Sequence, residues 1–150
     1  MKLLFGLLFL FVFSNECHHQ KSNNSASVQD KVSFTYEATS RGFYEVIEIT
    51  KDSILFSNDR DLKEVEVSKC NAEDWNELID FLKEIDVISL SELKAPTNKH
   101  QVDAAAMATF SVKINDETYE TNVFDHGYPP KPISALVNKV LSMKQMMAKH

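Results

Sequence analysis

Four short strand-like segments follow one another in the first half of the chain, and they constrain the fold more than any other feature. In the first segment every second residue is apolar: Val32, Phe34, Tyr36 and Ala38. Polar turns separate it from three similar segments, which cover 43–50, 53–56 and 62–68. A period of two is typical of a strand with one buried face. The pattern therefore predicts an antiparallel meander with its other face in water.

After Cys70 the apolar period changes to that of a helix. Asn71 is a suitable N-cap, and Glu73 and Asp74 follow in the first turn, where the helix dipole favours negative charge. Apolar residues at steps of three and four then form one stripe: Trp75, Leu78, Ile79, Leu82 and Ile85. Such a stripe predicts a helix that covers one face of the sheet.

A second hairpin and a second helix complete the pattern. Alternation over 108–114, a polar turn and a further segment at 119–124 predict two more strands. Pro132 suits the first turn of a helix, whose expected buried stripe is Ile133, Leu136, Val137, Val140 and Leu141. The order β-β-β-β-α-β-β-α predicts an α+β fold, with one antiparallel sheet and two helices packed on one of its faces.

The N-terminus has the pattern of a signal peptide. Lys2 precedes an unbroken apolar run over 3–13, and the small residue Ser14 follows. A membrane-spanning helix needs roughly 20 apolar residues, so the run is too short for a retained anchor. We expect a signal peptide at 1–14, a polar linker or tether at 15–30, and a single α+β domain at 31–150.

Two processing routes fit this leader. Signal peptidase could cut after Ser14, or Cys17 could become the lipid-modified first residue of a lipoprotein, with the polar tract behind it as a tether. Glu16 fits the second route poorly. Lipidation would hold the domain on a membrane surface in the periplasm or at the cell surface.

The chain contains two cysteines, Cys17 and Cys70. An oxidising compartment would permit a disulfide between them, but the first lies in the polar tether, so we favour two unpaired cysteines. Neither has the spacing of a zinc site, and we expect no cofactor.

Charge and glycine content exclude several functions. The net charge is −6, and it becomes −7 once the leader and its lysine are removed, which is the wrong sign for a nucleic-acid binder. With three glycines and no GxSxG motif, the chain has neither a phosphate-cradling loop nor a nucleophile elbow. We expect a protein that is not an enzyme.

Two loops collect the residues that could carry a function. The loop at 125–130 reads DHGYPP and offers Asp125, His126 and Tyr128, although turn chemistry alone also explains these residue types. The loop at 96–103 adds His100 and Asp103. Arg41, in the first turn, completes the set of candidate binding residues.

The sequence leaves three functions open, two that use these loops and one that uses the exposed face of the sheet. The first is a non-enzymatic binding or inhibitory module of the cell envelope that presents both loops to a protein or a small ligand. The second is a small metal-dependent hydrolase whose metal or catalytic groups are His100, Asp103, Asp125 and His126. The third is a structural envelope lipoprotein that pairs with a partner by strand addition. The residues leave the ligand and the oligomeric state open.

Several phrases of the chain carry a resemblance to a known group: TSRGFYEVIEIT, CNAEDW, LKAPTN, VDAAAMATFSV and FDHGYPPKPISALV. Together they resemble uncharacterised small secreted proteins or lipoproteins of Bacteroidetes, of flavobacteria especially, from about Phe34 to the last helix. No activity is attached to that group. The resemblance implies a bacterial envelope protein, and the residues before Cys17 are where this chain departs from lipoprotein relatives.

The leader generates a direct prediction. We expect mass spectrometry of the mature protein to find the signal peptide removed, with a first residue that is either a free Asn15 or an acylated Cys17. The first result excludes lipidation and the second establishes it. A mature chain that still begins at Met1 would contradict export.

Overall fold

One antiparallel sheet organises the residues that the computed structural model describes, which are 31–102 and 104–147. Its strands are β1 (Val32–Ser40), β2 (Phe43–Thr50), β3 (Ser53–Ser57), β4 (Glu66–Lys69), β5 (Met107–Ile114), β6 (Glu117–Glu120) and β7 (Phe124–Asp125). They lie in the order β4-β3-β2-β1-β5-β6, and β7 also pairs with β5. Strands β1 to β4 therefore follow one another in the sheet as they do in the chain, whereas β5 pairs with β1 and both β6 and β7 pair with β5.

Two α-helices, α1 (Ala72–Lys83) and α2 (Ser134–Met147), cover the sheet. Short 3-10 helices occur at Val87–Glu92, Lys99–Val102 and Lys131–Ile133. The predicted cap of α1 is present, since the Asn71 side chain accepts a hydrogen bond of 2.8 Å from the amide of Asp74. The predicted fold class, α+β with an antiparallel sheet and two helices, is confirmed.

The core lies between the helices and one face of the sheet. The four alternating residues of β1 are at most 6 % exposed, and the ring of Phe34 lies 5.7 Å from that of Trp75 in α1. Residues of α2 close the same layer: Leu136, Val137, Val140 and Met143. The period of two on β1 and the helical stripes therefore predicted the core correctly.

The fourth predicted strand is shorter than expected. Instead of 62–68, the strand covers only Glu66–Lys69, because the carboxylate of Asp59 organises the preceding loop. This carboxylate accepts hydrogen bonds from the amides of Asp61 and Lys63, which lower its pKa. Leu62 has a φ of 54°, which no regular strand contains.

The sixth predicted strand is divided in two. Expected at 119–124, it occurs as β6 and β7 along the same edge of β5. Between them the side chain of Thr121 takes the place of a backbone group, because its Oγ1 accepts a hydrogen bond of 3.1 Å from the amide of Phe110. A hydrogen bond of this kind cannot be predicted from the spacing of apolar residues, because that spacing depends only on which side chains are buried.

Several sequence-based expectations lie outside the described residues. These are the leader at 1–14, the linker at 15–30 with Cys17, and Asp103. Within the described part of the chain, no helix is long and apolar enough to span a bilayer. Cys70 is half-buried beside the start of α1, where burial raises the pKa of its thiol.

Packing of α1 on the sheet can be tested with one substitution. Leu78 is fully buried, so Leu78→Ala should lower the free energy of unfolding by about 2–5 kcal/mol in urea denaturation. Ile88 is 75 % exposed, and the matched substitution Ile88→Ala should cost less than about 0.5 kcal/mol. Equal losses for the two variants would contradict this arrangement of the core.

Candidate functional site

Asp125 is a buried carboxylate at the end of the sheet where β1 stops and β5 begins. Its Oδ2 accepts hydrogen bonds from the hydroxyl of Thr97 and from the amide of Lys99, the latter at 2.9 Å. Its Oδ1 accepts from the amide of His100 at 2.8 Å and lies 2.6 Å from Nδ1 of the same residue. Burial raises the pKa of Asp125, but these four donors outweigh burial and hold it well below its usual range.

His100 is oriented by this carboxylate. An ionised carboxylate only accepts hydrogen bonds, so Nδ1 of His100 must carry the proton that lies between them. Nε2 then carries the lone pair of the ring and can accept a hydrogen bond. With 10 % of its side chain exposed, His100 forms part of the wall of a cavity rather than projecting from the surface.

The cavity beside His100 has a volume of about 290 Å³ and opens between the end of β1 and the start of β5. Both arginines of the 150-residue chain contribute to its wall. The complete lining consists of Thr39, Ser40, Arg41, Arg60, His100, Ala105 and Met107. We call this cavity the arginine cleft.

Arg60 is held in place by the open face of the sheet. Its Nη2 donates a hydrogen bond of 2.7 Å to the hydroxyl of Thr39, and its guanidinium carbon lies 5.4 Å from the centre of the Tyr44 ring. The loop that carries Arg60 is the one organised by Asp59, and Ser57 strengthens it by donating its hydroxyl to the carbonyl of Glu64 at 2.6 Å. Arg60 is thus positioned before any ligand arrives.

Neither arginine is neutralised by an ion pair with any residue in 31–102 or 104–147. A guanidinium presents five N–H donors in a rigid plane that matches the oxygens of carboxylate or phosphate groups. Two such groups and the hydroxyl of Ser40 make this wall rich in donors. The chemistry that this arrangement supports is the binding of an anion.

His126 lies in a different cluster, on the helix-covered side of the same end of the sheet. Its Nδ1 shares a hydrogen bond of 2.8 Å with the hydroxyl of Tyr36 and lies 3.7 Å from Oε1 of Glu45. Lys144 of α2 pairs with the other oxygen of Glu45. Burial, assisted by the charge of Glu45 and opposed by a hydrogen bond from the amide of Gly127, raises the pKa of Tyr36 to about 12.

The six candidate binding residues are therefore divided. His100 and Asp125 meet directly, and Arg41 joins them at the arginine cleft. Tyr128 lies apart with 56 % of its surface exposed, and the ammonium group of Lys99 is 5.6 Å from its ring. His126 belongs to the Tyr36 cluster and does not line the cleft, and Asp103 lies outside the described residues.

The hydrolase alternative required four of these side chains around one metal. The described residues bring together two of them, His100 and Asp125. Among those residues, no group of three or more histidine, cysteine, aspartate or glutamate side chains could hold a metal ion.

Sequence reasoning missed Arg60. The polar residues 57–61 predict only a turn, and nothing in their spacing predicts contact with the first strand. One signal was nevertheless available, since the chain has only two arginines among its 16 basic residues. Arginine is the residue preferred for bidentate binding of anions, so two isolated arginines in an acidic chain could have been considered as a pair.

Comparison with known proteins gives no match, either to a family model or to a curated protein. The functional assignment consequently depends on the geometry of the arginine cleft.

The hydrogen bonds of Asp125 can be tested through the pH dependence of stability. The pKa of Asp125 in the folded state lies below its ordinary value of 3.8, so its contribution is fully present above pH 3.8 and is lost as the pH falls further. We expect Asp125→Asn to be less stable than the wild type at pH 7 in urea denaturation. That difference should shrink below pH 3.8.

Asp80→Asn provides the control for charge removal, because Asp80 forms an exposed ion pair with Lys83. Such pairs contribute little to stability. If Asp80→Asn and Asp125→Asn had the same effect at both pH values, the buried hydrogen bonds would not organise this region.

Proposed function

We propose that this protein is an exported binding module of the bacterial envelope that does no chemistry and binds an anionic ligand in the arginine cleft. One observation carries the proposal: the only two arginines of an acidic chain line the same cavity, beside a histidine oriented by a buried carboxylate.

Charge supports this proposal. At long range the protein as a whole repels an anion, since its net charge is −6. Local positive charge must therefore provide the attraction, and Arg41 and Arg60 provide it without neutralising partners among the described residues. A charge-assisted hydrogen bond contributes about 1.5–3 kcal/mol, so two guanidinium groups can offset the long-range repulsion.

The rigidity of the cleft also supports a binding role. His100 and its neighbours are held by four hydrogen bonds to Asp125, and Arg60 is held by Thr39 and the ring of Tyr44. A site whose donors are already ordered loses little conformational entropy when a ligand binds. The expected leader adds the compartment: a polar tether behind a signal peptide would present such a module at the membrane surface or in the periplasm.

Inorganic phosphate is a suitable first probe. In an NMR titration at constant ionic strength, we expect saturable shifts of the backbone amides of Arg41 and Ala105 in the wild type. The double variant Arg41→Gln/Arg60→Gln should bind at least about tenfold more weakly, because each tenfold loss corresponds to about 1.4 kcal/mol.

Lys113→Gln is the matched control for loss of positive charge. Lys113 is exposed on β5 and does not line the cleft. Its substitution should leave phosphate affinity within about twofold of the wild type, since exposed charges are screened by salt. The proposal fails if the double variant and the wild type bind phosphate equally.

A further inference from the structure

The ligand of the arginine cleft can be specified further. We infer that it is a peptide with a free C-terminal carboxylate, whose carboxylate contacts Arg41 and Arg60 and whose main chain lies along residues 104–106. This inference rests on the proposed anion-binding function. It adds the chemical class of the ligand and the direction in which it lies.

A second cavity of about 310 Å³ adjoins the arginine cleft. It is lined by Ser40, Arg41, Ala104, Ala105 and Ala106. Three of these residues, Ser40, Arg41 and Ala105, also line the arginine cleft, so the two cavities form one groove. One part of this groove contains the guanidinium and imidazole groups, and the other is bounded largely by backbone and methyl groups.

In the part of the groove that residues 104–106 line, the backbone lies beside a position that no described strand occupies. Pairing between β1 and β5 ends at Thr39 and Met107, because β1 stops at Ser40 and the chain turns at Arg41. The segment before Met107 therefore extends past the end of its neighbour. A ligand in an extended conformation could lie there as a short continuation of β1.

Hydrogen bonding on the other side of this segment indicates how its backbone is oriented. The carbonyl of Ala106 accepts a hydrogen bond of 2.9 Å from the amide of His126, so Ala106 directs its backbone groups towards β7. The amide of Ala104 donates a hydrogen bond of 3.1 Å to the carbonyl of Lys99, and the chain bends at Ala104 and Ala105 before the strand begins. The amide and carbonyl of Ala105 have no hydrogen-bond partner among the described residues, so they are the backbone groups of this segment that a ligand main chain can pair with.

The three alanines leave this part of the groove open. A methyl group is the largest side chain at each of positions 104–106, so no side chain of this segment blocks the approach of another backbone. Addition of a peptide to a strand derives affinity from main-chain hydrogen bonds, and a terminal carboxylate adds ionic contacts. The part of the groove suited to main-chain hydrogen bonds and the part suited to ionic contacts adjoin at Ser40 and Arg41.

Inorganic anions could use only one part of this groove. Phosphate could pair with the guanidinium groups, but it has no amide or carbonyl to match the backbone of Ala105. A C-terminal carboxylate is planar and suits bidentate pairing with arginine, and the peptide attached to it carries the missing backbone groups. The groove as a whole therefore fits a peptide terminus better than a free anion.

The decisive probe is a pool of N-acetylated tetrapeptides, randomised at all four positions and made in two forms. One form has a free C-terminal carboxylate and the other a C-terminal amide. Both pools are passed over the immobilised protein, and the retained peptides are measured by mass spectrometry. We expect the free-acid pool to be retained at least about tenfold more than the amide pool, and the Arg41→Gln/Arg60→Gln variant to abolish the difference.

Substitutions at position 104 separate this inference from the proposed function, because Ala104 lines the second cavity and not the arginine cleft. Ala104→Leu should fill the groove and reduce retention of the free-acid pool at least about tenfold, while phosphate affinity stays within about twofold of the wild type. Ala104→Phe, with a larger side chain, should have the same effect. Urea denaturation shows whether each variant is folded, and either variant retains the test if the other is not.

The outcomes distinguish the two proposals. Equal retention of the acid and amide pools, together with phosphate binding that depends on the arginines, overturns the peptide inference and leaves the anion-binding function standing. Absence of both phosphate binding and free-acid retention overturns both. If the folded Ala104→Leu variant retains the free-acid pool as well as the wild type does, the ligand does not lie along residues 104–106.

Discussion

The buried carboxylate of Asp125 is the interaction on which the functional end of this protein depends. A charge removed from water is unfavourable unless hydrogen bonds replace the lost hydration. Here all four donors come from Thr97, Lys99 and His100, so solvating the charge requires this segment to lie against β7. The same requirement orients the imidazole of His100 in the wall of the arginine cleft. One electrostatic constraint therefore closes the end of the sheet and prepares the site.

A second carboxylate organises the opposite side of the cleft by the same means. Asp59 accepts amide hydrogen bonds from its own loop, and this loop carries Arg60 to Thr39 on the open face of the sheet. Both loops use an acidic side chain to satisfy backbone amides, and each brings a side chain to the cleft, His100 in one and Arg60 in the other. These two acids are therefore compatible with a nearby anion site, because their carboxylates are turned towards backbone amides.

The limits of prediction can be seen in particular residues. The alternation on β1 placed Phe34 and Tyr36 in the core correctly, because burial of one strand face is a local pattern. Residues 62–65 were expected to begin the fourth strand, yet they form a loop, since the amide hydrogen bonds of Asp59 outweigh strand propensity there. The hydrolase alternative required His126 beside His100, but a hydrogen bond to Tyr36, distant in sequence, places His126 in another cluster.

The sequence by itself determined the class of the fold: the periods of two and of 3.6 residues specify which faces of the strands and helices are apolar, and burial of these faces leaves few arrangements. It also determined that an acidic chain has only two arginines. Tertiary structure alone decided that Arg41 and Arg60 share a cavity, and that Asp125 meets His100 while His126 does not. The physical reason is that hydrogen bonds and charges act over a few ångströms between residues distant in the chain, and local periodicity carries no record of these pairings.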